Sequence, residues 1–264
     1  MDLSNIKMVV TDMDGTLLNS NHEVSEHFFR LFEKLKEREI HFVAASGRQY
    51  HSMVDKLEPI KNDVLFIAEN GAIIKNREEV LLTTPLEHKD LTKILETISQ
   101  VKDAHPVLCS ANNAFVKGTS DKFLSILKEY YTQFEVVENQ LAVTDEVLKI
   151  AIYHFESSER FVYPHVQKLE NNLKVKVSGS NWVDISHSNA HKGFALEKLM
   201  NEYGLSSNEV LVFGDYNNDL EMLQLSDYSF AMANAHPNVK AIAKYETTSN
   251  NEFGVENIIE QIVR

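Results

Sequence analysis

Cysteine is almost missing from this chain: Cys109 is the only one among 264 residues. A single thiol excludes an intramolecular disulfide and a cysteine-ligated zinc cluster, and Cys109, between Leu108 and Ser110, reads as a small apolar filler. Five prolines and nine glycines are too few for a collagen-like or linker-rich chain. Positive charge is also short. Lys plus Arg number 26 against 39 Asp plus Glu, a formal net charge of −13. Most of such a surface repels phosphate backbones and anionic lipid, so neither nucleic acid nor membrane is an expected partner. A phosphorylated ligand would need a local positive site. No apolar run approaches the length of a membrane span, and MDLSNIKMVV lacks the basic and long apolar regions of a secretory signal. Repeats and low-complexity tracts are missing too. A reduced, cytoplasmic protein is the expectation.

What remains is ordinary globular material, 43% hydrophobic and 25% charged, long enough for about two domains. Ile6 to Thr11, Ile40 to Ala45 and Val64 to Ala68 are short apolar runs of the kind found in strands buried on both faces. Between them, Val24, Phe28, Leu31, Phe32 and Leu35 have helical spacing, and a shorter helix is predicted from Tyr50 to Leu57, stopped by Pro59. This β-α-β-α-β order predicts a parallel sheet, followed by a hairpin of Ala72 to Lys75 and Val80 to Thr83. The rhythm then changes. Helices are predicted at 87–102, 120–133 and 158–171, with strands near 106–110, 113–117, 134–138, 148–155, 174–178 and 182–186, an antiparallel α+β pattern. The first style returns with helices at 191–203, 217–224, 237–243 and 253–263 and strands at 210–213 and 228–231. The fold class is therefore α/β: a doubly wound parallel-sheet core, residues 1–83 and 188–264, with an inserted α+β domain at 84–187.

Chemistry concentrates where these strands end. Asp12 and Asp14 follow the first run and precede Gly15-Thr16; a carboxylate at a buried sheet end needs a partner or a task. The run Val210 to Phe213 also terminates in acid, Gly214-Asp215-Tyr216-Asn217-Asn218-Asp219. One of these residues would suffice as a helix cap, and the stretch holds more than capping requires. Lys192 begins a helix, where the macrodipole disfavours a cation unless it helps to hold an anion. Ser46-Gly47-Arg48 follows the second strand, with a hydroxyl and free amides suited either to phosphate or to an ordinary loop.

Together these stretches resemble the haloacid dehalogenase-like phosphohydrolases. Asp12-Met13-Asp14-Gly15-Thr16-Leu17 is similar to their DxDGT motif, and Ser46, Lys192 and Gly214 to Asp219 resemble the other three motifs in order. An insert between the second and third motifs is the arrangement of the type IIB, Cof-like sugar-phosphatase branch, with a C2B cap. Glu69-Asn70-Gly71-Ala72 and Thr248-Ser249-Asn250 with Gly254-Val255 are further Cof-like features. Phe253 and Gln49 depart from that branch's usual pattern.

Four carboxylates with a phosphate are electrostatically hostile: two unit charges about 4 Å apart repel by about 4 kcal/mol at an effective dielectric of 20. Lys192 and Arg48 cannot balance that load; an oxygen-ligated Mg²⁺ can. The resemblance implies Mg²⁺ held by the Asp12 side chain, the Asp14 backbone carbonyl and the Asp215 side chain, with Asp219 near Lys192 and Arg48 close by. It implies Asp12 as nucleophile, Asp14 as acid and base, and Lys192, Ser46, Gly47 and Asn218 as phosphate-binding groups. The insert is expected to select the substrate, with Asn112, Asn113, Lys117, Trp182 and His187 as candidates near strand ends and Trp182 equally a core residue. The expected partner is a small phosphorylated metabolite, with monomer or homo-oligomer left open. A phosphomutase using the same aspartyl-phosphate is the nearest alternative. A receiver-like signalling domain fails on motif order, and a binding-only protein keeps no reason for the complete motif set.

Overall fold

The computed structural model describes residues 2–118, 120–131 and 133–264. The first apolar run is strand β1 (Met8–Asp12), buried throughout. Ser25 starts helix α1 (Glu26–Glu37) by accepting the Phe28 N–H, and Phe28, Leu31, Phe32 and Leu35 form the buried stripe. Phe28 and Phe32 pack on Phe42 of β2 (His41–Ala45), with ring centroids 5.1 and 5.7 Å away. Helix α2 (Tyr50–Lys56) and β3 (Val64–Ala68) complete the predicted alternation. Pro59 does more than end α2. It stands at the start of a 3-10 turn, Glu58–Asp63, where its missing N–H costs nothing. The hairpin strands β4 (Ile73–Asn76) and β5 (Glu79–Thr83) follow.

The chain up to Leu82 together with Ala190–Arg264 forms one compact unit, and Thr83–Asn189 a second. The second contains α3 (His88–Ile98), β6 (Ala104–Cys109), β7 (Ala114–Lys117), α4 (Asp121–Tyr130), β8 (Glu135–Val137) and β9 (Lys149–His154). It ends with α5 (Ser158–Phe161), α6 (Tyr163–Val166), β10 (Leu173–Gly179) and β11 (Trp182–His187). Its sheet order is β10-β11-β9-β6-β7-β8. Period-2 alternation divides β9 between two apolar clusters: Ile150 and Ile152 join Leu91, Ile94 and Ile98, whereas Ala151 and Tyr153 join Phe123 and Leu127. Three expectations change here. β8 runs parallel to β7, because α4 serves as a crossover between them. The single helix predicted over 158–171 is two short helices and a 3-10 turn, with Pro164 opening the second. The helix predicted over 120–133 ends at Tyr130, and Thr132 lies outside the described residues.

The first unit resumes with α7 (Lys192–Glu202), β12 (Val210–Gly214), α8 (Leu220–Leu223), β13 (Tyr228–Ala231), α9 (Pro237–Ile242), β14 (Tyr245–Glu246) and α10 (Gly254–Ile262). The helix predicted over 217–224 opens instead as a 3-10 turn, Asn217–Asp219. The eight strands have the order β14-β13-β12-β1-β2-β3-β4-β5. Pairing is parallel from β14 through β3 and antiparallel between β3 and β4. The fold is thus a doubly wound α/β core with an α+β insertion. Successive strands are laid down on one side of β1, then on the other, so the crevice between β1 and β12 is the topological switch point, where such sheets bind ligands.

Candidate active site

Because β1, β2, β3 and β12 are mutually parallel, their carboxyl ends share one edge. Asp12 is the last residue of β1 and is buried. Beyond it the chain turns at Gly15, whose φ is 80°. A Cβ there would collide with Asp215 Oδ2, so the turn needs glycine on both counts. Asp215 follows β12, with the Thr16 hydroxyl donating to its Oδ1 at 3.3 Å. Lys192, fully buried, is the first residue of α7, whose N-terminus is capped by the His191 ring. Its ammonium donates to Asp12 Oδ1 and, at 2.7 Å, to Asp219 Oδ1. The other Asp219 oxygen accepts the backbone N–H groups of Asp215 and Tyr216 at 3.0 and 3.1 Å. Asp219 is therefore bonded at both oxygens, one to the lysine and the other to the loop.

One carboxylate oxygen from each of Asp12, Asp215 and Asp219 lies within 4.8 Å of the others. Burial pushes the Asp12 carboxyl up to about 8, against the pull of Lys192 and with the repulsion of Asp219 and Asp215 added. Burial and the Asp219 charge likewise lift Asp215 to about 6. Burial opposes the charged form of Lys192 as well, but Asp12 and Asp219 outweigh it and hold the ammonium above its usual range. Three carboxylates around one ammonium leave the site short of positive charge. Its donors are all hard oxygens, so the arrangement fits a hard divalent cation.

Asp14 stands apart from that group. The Arg48 guanidinium forks onto it, Nε to Oδ2 at 2.7 Å and Nη2 to Oδ1 at 2.6 Å, and His22 Nδ1 lies 3.4 Å from Oδ1. Partial burial raises the Asp14 carboxyl, but Arg48 prevails and holds it below the usual range. Buried Ser46 accepts the Arg48 N–H at its Oγ, 3.1 Å. Asn218 Nδ2 donates to Asn70 Oδ1 at 3.0 Å, and the same Asn70 amide lies against Gly47. The predicted residues thus form two directly bonded sets, Asp12–Lys192–Asp219 and Asp14–Arg48–Ser46. Asp215 joins the first through Asp219, and Gly47 and Asn218 meet at Asn70.

Three further residues contribute contacts that the sequence does not signal. Thr16 stands in the Asp12 to Leu17 motif, which gives no sign that its hydroxyl donates to Asp215. Asn234 donates to the Gly15 carbonyl at 2.8 Å from far along the chain, with no sequence signal at all. Asn70, within the Glu69 to Ala72 stretch, links Asn218 to the Gly47 loop. Among the candidates of the insert, Trp182 packs edge-on against Tyr153 with centroids 4.9 Å apart, and the Nδ1 atom of His187 accepts the Asn189 N–H. Asn113 caps the start of β7 by accepting the Ala114 N–H, Asn112 lies in the preceding turn, and Lys117 is exposed at the end of β7. Cys109 is buried, its Sγ 3.4 Å from the Tyr131 hydroxyl.

Residues 9–259 match the family model of the haloacid dehalogenase-like hydrolases. The chain belongs to that family. The Escherichia coli (strain K12) protein named 5-amino-6-(5-phospho-D-ribitylamino)uracil phosphatase YbjI is 31% identical, over 98% of this chain and 97% of its own. The crystal structure of TM0651 from Thermotoga maritima is 29% identical and superposes with a TM-score of 0.85, covering 97% of both chains. The subclass IIB sugar phosphatase BT4131 shares the fold, with a TM-score of 0.77 at 20% identity over 97% of this chain and 98% of its own. This haloacid dehalogenase-like chain is a phosphatase of the Cof-like branch. Among the described residues no helix is long and apolar enough to cross a membrane.

Proposed function

We propose that this phosphatase hydrolyses small phosphomonoesters, sugar phosphates or related phosphometabolites, through an aspartyl-phosphate on Asp12. The observation that carries the reading is the buried Asp12 carboxylate at the switch point, tied to a fully buried Lys192 and grouped with Asp215 and Asp219. Asp12 and Asp215, with the Asp14 carbonyl, would hold Mg²⁺. When bound, the ion screens the carboxylates from the phosphate and stabilises charge on the transferring oxygens. Asp12 attacks phosphorus; its Oδ–P bond forms as the P–O bond to the leaving alcohol breaks. Asp14 supplies the proton to that alcohol, then removes one from the water that attacks the aspartyl-phosphate, releasing inorganic phosphate and restoring Asp12. Its pair with Arg48 must open for this, so that the freed carboxylate takes up a proton from solvent before the first step, and an incoming phosphate is a competing anion for that guanidinium. Lys192, Ser46 Oγ, the Gly47 N–H and Asn218 bind the phosphoryl oxygens. Residues 84–187 form the cap that selects the substrate, in cytoplasmic service.

The test is release of inorganic phosphate from a panel of phosphometabolites and p-nitrophenyl phosphate, with Mg²⁺ and with EDTA, beside Asp12→Asn. The panel includes 5-amino-6-(5-phospho-D-ribitylamino)uracil, for which the Escherichia coli relative is named. Mg²⁺-dependent release that disappears in a folded Asp12→Asn protein supports the reading. Turnover retained by Asp12→Asn removes Asp12 as nucleophile, and no release from any ester removes the hydrolysis.

A further inference from the structure

Glu69, Asn70 and Gly71, just beyond β3, have φ of 51°, 56° and 96°. Three successive residues in the left-handed region, two of them not glycine, persist only where the surroundings over-determine them. Those surroundings are the loops of the active site. The Glu69 N–H donates to the Arg48 carbonyl and the Asn70 N–H to the Ser46 carbonyl, both at 2.9 Å. A Cβ on Gly71 would collide with the His191 carbonyl, so the turn also rests directly on the peptide that precedes Lys192. The Asn70 side chain then accepts from Asn218 Nδ2 at 3.0 Å. An amide NH₂ has two donors in one plane, so pinning one of them fixes the direction of the other.

We propose that Asn70 is a positioning residue for phosphoryl transfer: its side-chain carbonyl holds one N–H of Asn218 so that the second meets a phosphoryl oxygen. The left-handed turn gives that carbonyl its place among the loops after β2, β3 and β12. The proposal rests on the phosphatase reading and on Asn218 as a phosphate donor. Asparagine suits the position twice over, because it tolerates the left-handed conformation and carries the acceptor.

Asn70→Gly separates the two, keeping a backbone that accepts positive φ and deleting the acceptor. The experiment measures kcat and KM with Mg²⁺, orthovanadate binding by calorimetry, and thermal stability for the wild-type chain, Asn70→Gly, Asn218→Ala and the double variant. The expected result is that Asn70→Gly melts no lower than wild type yet loses about tenfold or more in kcat/KM, with vanadate binding weakened alongside. The double variant should lose no more than Asn218→Ala alone, because both act through one N–H. Wild-type kcat/KM and vanadate affinity in Asn70→Gly, or losses that add in the double variant, overturn the proposal. A wild-type chain that binds vanadate without any turnover overturns the phosphatase reading, and the positioning role is then decided by the vanadate cycle. Neither turnover nor vanadate binding overturns both.

Discussion

Lys192 shows how much one residue type at one position can require. It is fully buried, and its ammonium is shared between Asp12 and Asp219. Lys192→Met keeps the volume and removes the charge, leaving two buried carboxylates uncompensated. Breaking a buried pair in this way costs about 3–5 kcal/mol, and urea unfolding in EDTA should show a loss of that size together with absent turnover. A variant within about 1 kcal/mol of wild type would mean that the carboxylates simply take up protons. The gathering of Asp12, Asp215, Asp219 and Lys192 was legible in the chain, because acids at the ends of apolar runs and a lysine at a helix start are each locally anomalous. Asn70 was not. An Asn-Gly pair after a strand looks like any turn, and its partner Asn218 is 148 positions away. Nor was the Asp14–Arg48 pair legible: the sequence puts both beside the site but does not say which anion the guanidinium meets first.

At the level of elements, α1 depends on a contact that crosses the chain. The Ser25 hydroxyl accepts the Phe28 N–H and donates at 2.6 Å to Glu256, a buried carboxylate on α10. Ser25→Ala should therefore exceed the usual loss of a cap, about 1 kcal/mol, by the loss of a hydrogen bond to a charged group, for a total of about 2–3 kcal/mol in urea unfolding. A loss of only about 1 kcal/mol would show that water replaces the hydroxyl at Glu256. In the insert, the His105 ring of β6 stacks on Phe123 of α4, centroids 4.5 Å apart and 15° from parallel. Burial lowers its pKa, Asp103 pulling the other way and His154 adding to the fall. The folded pKa is depressed, so the neutral ring contributes stability above the ordinary histidine value of about 6.5, lost as pH falls through the folded value. His105→Gln should flatten the dependence of stability on pH between about 7 and 5, read by denaturant unfolding across that range. An unchanged slope would assign the acid limb to other groups.

For the molecule as a whole, the deficit of positive charge at the site makes cation binding a stability term. Mg²⁺ present at about a hundred times its Kd adds about 2.7 kcal/mol, enough to raise the melting temperature by several degrees in a chain of this size. EDTA should reverse the rise, and Asp215→Asn should abolish most of it. A melting curve indifferent to Mg²⁺ would remove the cation from this site. The alternation of apolar runs and helical stripes determined the class of fold from the chain alone, since buried parallel strands and amphipathic helices have different periods and lengths. Packing decided the remainder. The two-residue β14 is too short to have a period, and Pro164 permits either a kink or a break. The direction of β8 depends on whether α4 crosses over, which no local pattern encodes. The strand order places β12 beside β1, although about two hundred residues separate them, and that adjacency brings Asp215 to Asp12. Local propensity is set by each residue and its near neighbours, whereas an active site at a switch point exists only once distant strands have chosen their partners.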